Sequence, residues 1–485
     1  MKTRFVPVGL GLVTVLLAGC MVGPKYVKPT APTAPEFKEQ PPDSFKESDG
    51  WKQAKPEDQA IRGVWWEMFG DPQLNALEDQ VSSSNQSLKM AESRLREARA
   101  MIRFSKAAEF PTISTAPSVV NERDSAHEPY FPASFANNGT GAFSLPFDLS
   151  YEVDLWGRVR RTVSASREEA QATAADLQTA SLSLHAELAV DYFELRSADA
   201  QKQLLDDTVK AYTDALQLTQ NRFEGGAAPK SDVAQAETQL EAAQVQDTDI
   251  TVTRAQFEHA IATLIGKPPA QFSLPPSMNA QLQLPVIPVG VPSSLLERRP
   301  DIAAVERRVA EANDQIGIAR AAFFPTLVIG ATAGFEGTTA TNWLNWPSRM
   351  WAVGPQLSQT LFDAGRRRAT SEGAIANYDG TVATYRQTTL TAFQEVEDNL
   401  AALRILEKEA EQQHRATASA QESLQLFTNR YQGGVDNYLQ VITAQTIALA
   451  DERNDIDIQR RRMDASVLLV KAVGGGWDTS RLPRQ

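Results

Sequence analysis

The fold is decided by residues 158–224, which read RVRRTVSASREEAQATAADLQTASLSLHAELAVDYFELRSADAQKQLLDDTVKAYTDALQLTQNRFE; none of these 67 residues is glycine or proline. An α-helix rises about 1.5 Å per residue, so this stretch predicts a helix on the order of 100 Å long, far beyond the helices of ordinary globular domains. Apolar side chains recur along it at intervals of seven residues, a spacing typical of coiled-coil packing. They are Leu177 and Leu184, Leu188 and Leu195, and Val209, Leu216 and Phe223.

The same pattern occurs a second time, 208 residues further along the chain. Residues 222–226 (RFEGG) return as residues 430–434 (RYQGG), and residues 264–266 (LIG) return as residues 472–474 (AVG). A long-range repeat of this kind indicates one structural unit that is used twice. We therefore expect two internal repeats with the same architecture.

Each long stretch ends at a Gly-Gly pair, after which a shorter helical stretch runs back along it. The returning helices are predicted over residues 231–265 and 438–472. The second long stretch, residues 366–432, also lacks proline, but we expect Gly373 and Gly380 to cause some bending in its first part. The sequence thus predicts two long helical hairpins.

Residues 143–155 alternate without a break between two kinds of side chain. Positions of the first kind are Phe143, Leu145, Phe147, Leu149, Tyr151, Val153 and Leu155, and those of the second are Ser144, Pro146, Asp148, Ser150, Glu152 and Asp154. Alternation with period two predicts a strand with one apolar face and one polar face in contact with water. A strand of a soluble sandwich would look similar, but a length of about ten residues in an exported chain favours a transmembrane barrel strand.

Three further strands are expected, at residues 112–120, 325–335 and 351–362. Four strands cannot close a barrel, and an open edge in lipid leaves backbone groups unpaired at several kcal/mol each. Further copies of the chain must supply the rest, and three copies would give twelve strands around an aqueous lumen. The predicted fold class is a mixed α and β membrane protein, a homotrimer whose twelve-stranded transmembrane β-barrel, with four strands per protomer, continues into a long α-helical barrel.

The N-terminus resembles the signal peptide of a bacterial lipoprotein. Two basic residues precede an apolar run over residues 5–18 that is too short to span a membrane, and the run leads into Leu-Ala-Gly-Cys at 17–20. Cys20 is the only cysteine, so it cannot form an internal disulfide. We expect it to carry a covalent diacylglycerol and an N-acyl chain, with a catalytic or core thiol as the alternative. Met21 follows where Asp usually retains such lipoproteins in the inner membrane, which favours the outer membrane.

Composition and motif searches exclude several classes of function. The formal net charge of -12 argues against a nucleic-acid partner, because binding phosphates requires clustered Lys and Arg. No nucleophile elbow, phosphate loop or metal-ligand spacing occurs, which argues against an enzyme, a metal or another cofactor. The four histidines are scattered and are interpreted as residues of helix surfaces: His127, His185, His259 and His414.

These patterns divide the chain into ten segments. They are a signal peptide (1–19), an acylated extended tether (20–65), a first-repeat helix (66–109), a first β-strand pair (110–157), a first long helical hairpin (158–266), a Pro-rich crossing segment (267–293), a second-repeat helix (294–323), a second β-strand pair (324–365), a second long helical hairpin (366–474) and a C-terminal tail (475–485).

Four motifs occur together at the places where a known family carries them. They are CMVGPKY at 20–26, WWEMFGDPQLN at 65–75, ERRPDI at 297–302 and YQGGVDNYL at 431–439. On these motifs and the repeat, the chain resembles the TolC-like outer membrane efflux proteins over essentially its whole length, most closely the lipidated OprM branch.

The resemblance implies an outer-membrane duct that extends into the periplasm, with an iris formed by the hairpin tips. It implies docking to a periplasmic adaptor and to an inner-membrane pump, of the RND type, that delivers drugs or other small molecules. A channel of a type I protein secretion system is the alternative. A periplasmic adaptor lipoprotein is a further one, although adaptors usually have one hairpin between small β domains.

The resemblance also implies site residues at the tip of the second hairpin. Asp436 would lie near the iris as a ring of three carboxylates, although an Asp after a Gly turn can instead cap the following helix. Arg430 and Tyr431 would tie the closed tip to neighbouring helices, although an Arg at a helix end is commonly just solvated. The turn glycines are also candidate adaptor contacts: Gly225, Gly226, Gly433 and Gly434.

Overall fold

The computed structural model describes residues 21–39, 42, 64–123, 125, 127, 140–277, 284–287 and 295–476. The predicted signal peptide and the C-terminal residues from 477 onward lie outside the described residues. The helices are α1 (Pro72–Ser84), α2 (Gln86–Ala107), α3 (Arg158–Glu224), α4 (Lys230–Leu264), α5 (Leu295–Arg298), α6 (Pro300–Ala321), α7 (Arg366–Gln432) and α8 (Tyr438–Ala472), and the strands are β1 (Thr112–Thr115), β2 (Ser118–Glu122), β3 (Thr140–Val153), β4 (Thr326–Gly337) and β5 (Arg349–Ser358).

Two long hairpins dominate the chain, formed by α3 with α4 and by α7 with α8. The long helices contain 67 residues each and the returning helices contain 35 each. The bounds of α3, α7 and α8 are those predicted from the sequence, and α4 begins and ends one residue earlier than predicted. Helix α7 runs unbroken through Gly373 and Gly380. In the part of the chain that the structure describes, no helix has an apolar stretch long enough to cross a membrane.

Each of the two helices that precede the sheet is broken, where the sequence predicts single helices over 74–108 and 294–323. Helices α1 and α2 meet at Asn85, whose backbone is extended and whose side chain accepts a hydrogen bond from the Leu88 amide at 2.9 Å. The same side chain donates to the Leu264 carbonyl at the end of α4, at 2.7 Å. The single-helix prediction is wrong here because Asn85 caps a new helix while its amide group binds α4.

The second break lies at Arg299, between α5 and α6. The next residue is Pro300, and a proline disfavours the helical conformation of the residue before it. Arg299 donates to the carbonyl of Ala472, the last residue of α8, at 3.0 Å, and to the Glu395 carboxylate at 2.6 Å. Ala472 ends α8 as Leu264 ends α4, so each break binds the carboxyl end of the returning helix in its own half of the chain.

The strands form one antiparallel sheet in which β1 and β2 share an edge of β3, followed by β4 and β5. The predicted strand over residues 112–120 is two short strands, because Pro117 between them has no amide hydrogen for a ladder bond. Strand β5 spans Arg349–Ser358, so it starts and ends earlier than the predicted 351–362.

The register of the sheet sorts its side chains onto two faces, because residues paired across strands share a face. One face carries Ile113, Phe143, Leu145, Phe147, Leu149, Tyr151, Leu327, Ile329, Val353 and Leu357; the other carries Ser114, Ser144, Asp148, Glu152, Thr332, Glu336 and Gln356. The predicted alternation in β3 is confirmed. The apolar face is open in a single chain, where Val353 and Leu357 are each 66% exposed.

The main hydrophobic core lies at the middle of α3 and the end of α8, far from both the hairpin tips and the sheet. It joins these helices to α1 and to the short helix Trp65–Phe69. Fully buried members include Leu74, Leu188, Tyr192, Phe193 and Val467. The core therefore fixes the bases of the hairpins, while the tips are held by smaller, separate clusters.

Candidate functional site

The turn between α7 and α8 brings two of the predicted site residues together. The Asp436 carboxylate accepts hydrogen bonds from Arg430 Nε at 2.5 Å and from Arg430 Nη2 at 3.3 Å. The residue that precedes α8 is Asn437, and Asp436 makes no capping contact with α8 among the described residues. The alternative that Asp436 caps α8 is therefore wrong, because its carboxylate is hydrogen-bonded to Arg430 of the same turn.

Tyr431 is the centre of a small apolar cluster at this tip. Its ring is 3% exposed and lies 5.1 Å from the ring of Tyr438, which is 2% exposed. Val441 and Ala236 complete the buried part of the cluster, so a residue of α4 also packs here. Burial, with Tyr431 nearby, raises the pKa of Tyr438 to about 12. Tyr431 is thus a packing residue rather than a solvated one.

A residue that the sequence analysis missed connects the two hairpin tips. Arg222, near the end of α3, donates from Nη1 to the carbonyls of Tyr431 at 2.7 Å and of Gln432 at 3.1 Å. Its guanidinium also lies over the Tyr431 ring, 4.6 Å from the centroid. A cation is favourable here because the last carbonyls of a helix carry partial negative charge.

The repeat itself contains the signal for this contact. Arg222 and Arg430 are equivalent residues, but Ala228 stands where the second hairpin has Asp436. Arg222 therefore lacks the equivalent of Asp436 in its own turn, and its guanidinium reaches the other hairpin instead. The two equivalent arginines thus have different roles: one closes its own turn and the other joins the hairpins.

Both Gly-Gly pairs end a long helix in the same way. Gly226 and Gly434 have positive φ angles of 75° and 73°, a conformation that favours glycine. In the first turn the Ala227 amide donates back to the Arg222 carbonyl at 2.8 Å, a bond that closes the helix end. All four glycines are exposed, so the turns present open backbone at the free end of the molecule.

His185 differs from the other histidines. His127, His259 and His414 are exposed, but His185 is buried, and the surface interpretation is wrong for it. Its ring stacks on Trp66 at 4.4 Å, and its Nδ1 lies 2.6 Å from the Glu78 carboxyl. Burial lowers the pKa of His185 to about 4 and raises that of Glu78 to about 9. Within the described residues, no group of three His, Cys, Asp or Glu side chains could hold a metal ion.

Cys20, the predicted lipidation site, lies outside the described residues. The chain is described from Met21, and the Val22 amide donates to the carbonyl of Trp156 at 3.0 Å. Trp156 stands between β3 and α3, where the sheet gives way to the helices. The residue after Cys20 therefore lies beside this junction.

Comparison with known proteins places the chain among proteins of similar length and architecture. The family model described as outer membrane efflux protein matches residues 77–267 and 291–475. The chain is 32% identical over 483 residues to the toluene efflux pump outer membrane protein TtgF of Pseudomonas putida, covering 99% of this chain and 98% of that one. It is 32% identical over 478 residues to the outer membrane protein OprJ of Pseudomonas aeruginosa, covering 97% and 96%. The solved structure of the outer-membrane channel OprN superimposes with a TM-score of 0.85 at 28% identity, covering 94% of this chain and all of that one.

Proposed function

Because the chain belongs to the outer membrane efflux protein family, we propose that three copies of it assemble into one continuous exit duct from the periplasm to the outside. It is an outer-membrane channel component of an efflux system, and not an enzyme. The energy for transport then comes from an inner-membrane pump, of the RND type, that engages the duct through a periplasmic adaptor.

The open sheet is the observation that carries the assembly proposal. Strand β5 at one edge and strands β1 and β2 at the other have no further strand partner among the described residues. In lipid, such edges would leave backbone groups unpaired at several kcal/mol each. Because β1 and β2 lie along the same edge of β3, each chain has four strand positions. Pairing the edges of three chains would then make a closed barrel with twelve strand positions, with the apolar face toward lipid and the polar face toward the lumen.

The hairpin tips form the proposed gate. Arg222 holds the second hairpin to the first, and the Arg430–Asp436 pair holds the turn itself. With three copies around one axis, the three Asp436 side chains would form an acidic ring near the closed end. Opening is then an iris-like separation of the tips that first breaks the contacts of Arg222. The exposed glycine turns are the proposed contacts for the adaptor.

Cys20 is proposed as the lipid anchor. The chain two residues later is hydrogen-bonded beside the junction of sheet and helices, which supports acyl chains inserted in the leaflet around the base of the barrel. Intact-mass spectrometry of the mature protein tests this: the expected species begins at Cys20 with diacylglycerol and an N-acyl chain. A mature protein that carries a free Cys20 thiol would overturn it.

The proposed cargo is drugs or other small organic molecules rather than secreted proteins. The relative TtgF is named for toluene efflux, which favours this over the type I secretion alternative. The test is to delete the gene and compare sensitivity to solvents, antibiotics and detergents with secretion of proteins into the medium. Hypersensitivity to small molecules with normal secretion is expected. Heat-modifiable trimer bands in the outer-membrane fraction test the assembly separately.

A further inference from the structure

Residues 21–39 cross the surface of the helices as a strap that is bound at both ends and in its first half. The strap has no helix or strand, yet its contacts run from the junction at Trp156 to the middle of α7. At the far end, the amides of Lys38 and Glu39 donate to the two oxygens of Glu397, at 2.7 and 2.8 Å. A loosely attached linker would not make such contacts.

The first part of the strap lies on the interface between α3 and α6, where the two halves of the chain meet. Arg161 of α3 is buried and pairs with Asp314 of α6 at 2.8 Å. The second amino group of Arg161 donates to the carbonyl of Pro24 in the strap at 3.0 Å. The strap therefore supplies a hydrogen-bond acceptor to an amino group of the buried Arg161 guanidinium.

A second charge network across the same interface also ends on the strap. Arg307 of α6 binds Glu168 of α3 at 3.1 Å and its neighbour Glu306 at 2.6 Å. The hydroxyl of Tyr26 in the strap donates to Glu306, which is 5% exposed. The Tyr26 ring packs with Ala31 against a cluster between α6 and α7 that includes Tyr385. Each network thus receives a hydrogen-bonding partner from the strap, at Pro24 and at Tyr26.

The fit is closest at Gly23. Its φ angle is +111°, and an added Cβ would lie 2.6 Å from the Cα of Gly317 in α6. A larger residue would therefore meet backbone and would also be strained in its own conformation. By contrast, the side chain of Val27 is 74% exposed and points away from the groove.

From these contacts we propose that the groove between α3, α6 and α7 is a binding site for an extended peptide, with the strap of the same chain as its ligand. By binding to both charge networks that cross the interface, the strap clamps the two halves of the chain together. The clamp acts through the strap itself and does not require the lipid on Cys20.

The test compares Gly23→Ala with the matched control Val27→Ala in the full-length protein purified in detergent. The apparent melting temperature of the helices, followed by circular dichroism, should fall by about 5 °C or more in Gly23→Ala and stay near wild type in Val27→Ala. Limited trypsin digestion reports release of the strap directly: cleavage after Lys25 and Lys38 should become at least severalfold faster in Gly23→Ala only.

Two further measurements separate the clamp from the anchor and from general misfolding. The same pair of variants is made with Cys20→Ser and exported by a cleavable non-lipoprotein signal peptide, where Gly23→Ala should cause the same loss. Tyr26→Phe and Glu306→Ala, singly and together, should be non-additive, because one removes the donor and the other the acceptor of the same hydrogen bond. Unchanged melting and cleavage in Gly23→Ala, a loss confined to lipidated protein, or additive effects of Tyr26→Phe and Glu306→Ala would overturn the proposal.

Discussion

Arg222 adds hydrogen bonds from a charged group to the apolar contacts that join the two hairpin tips. A hydrogen bond to a charged group contributes about 1.5–3 kcal/mol when buried, and partial exposure at this tip reduces the value to about 1–2 kcal/mol. In the proposed trimer, three such contacts would be enough to bias the equilibrium between closed and open tips strongly. The closed state of the tip therefore depends on a residue whose partner is 209 positions away.

We predict that Arg222→Ala raises the open probability of the reconstituted channel by about tenfold, because about 1.4 kcal/mol of closed-state stabilisation is lost. Asp436→Ala should also make the closed pore leakier or change its cation preference. Single-channel recording in planar bilayers measures both. Lys230→Ala removes a cation from the same tip and is the control. Unchanged conductance in both variants would remove the gate assignment.

Part of this site was accessible from the sequence, and part was not. The Gly-Gly turns follow from local patterns, since turn chemistry depends on neighbouring residues, and Asp436 was identified through the family resemblance. The burial of Tyr431 and the reach of Arg222 depend on how two hairpins pack side by side. His185 was misjudged for the same reason: its place on α3 is clear from the sequence, but the Trp66 ring that covers it comes from another segment.

The Glu78–His185 pair predicts how stability depends on pH. The folded pKa of Glu78, about 9, lies above its unfolded value, so the folded chain retains a proton that the unfolded chain releases. Stability is then lost as pH rises from about 5 toward 9, by at most about 1.4 kcal/mol per unit. His185, with its lowered pKa, acts in the opposite sense, and only below about pH 6.5.

Glu78→Gln should therefore flatten the alkaline part of the melting profile, since an amide can still donate to His185 but does not ionise. Melting temperatures between pH 6.5 and 9 measure the effect. Glu92→Gln, on the exposed side of α2, should leave the wild-type slope in place. If wild type and Glu78→Gln lose stability equally across this range, the carboxyl is not protonated in the folded state.

At the scale of elements, the long helices were predicted to the residue because glycine marks both ends of each. The break at Asn85 was not predicted, since Asn within a polar stretch is also compatible with a continuous helix, whereas Pro300 marks the break at Arg299 in the sequence. What breaks the helix at Asn85 is a carbonyl at the end of a distant helix. The strand ends were missed for a related reason: ladder bonds stop where the partner strand stops.

We predict that Asn85→Ala costs about 2 kcal/mol of stability, because it removes the cap of α2 and leaves the Leu264 carbonyl without its donor. Asn85→Ser should lose less, since serine can still cap the helix but cannot reach Leu264. Chemical denaturation of the two variants in detergent gives the comparison. Equal stability of Asn85→Ala and wild type would mean that the break is set by other contacts.

At the scale of the whole molecule, one sheet face should meet lipid and the other water. Val353 and Ala352 are adjacent in β5 and lie on opposite faces. Near the middle of the membrane, Val353→Arg should lower the free energy of unfolding by about 2–4 kcal/mol. It should therefore deplete the proposed trimer from the outer-membrane fraction. Ala352→Arg should be tolerated and should lower cation conductance. The two faces are assigned wrongly if Ala352→Arg is the variant that is lost.

The two helix breaks bind the ends of α4 and α8, so each hairpin is fixed mainly at its base. Its base is fixed by Asn85 or Arg299 and the main core, whereas its far end is held by few contacts. A returning helix of 35 residues is roughly 50 Å long, so a pivot of about 5° at the base displaces the tip by about 4–5 Å. In the proposed duct, a small pivot at the base would therefore change the aperture at the tips by several ångströms, and the sheet could stay still.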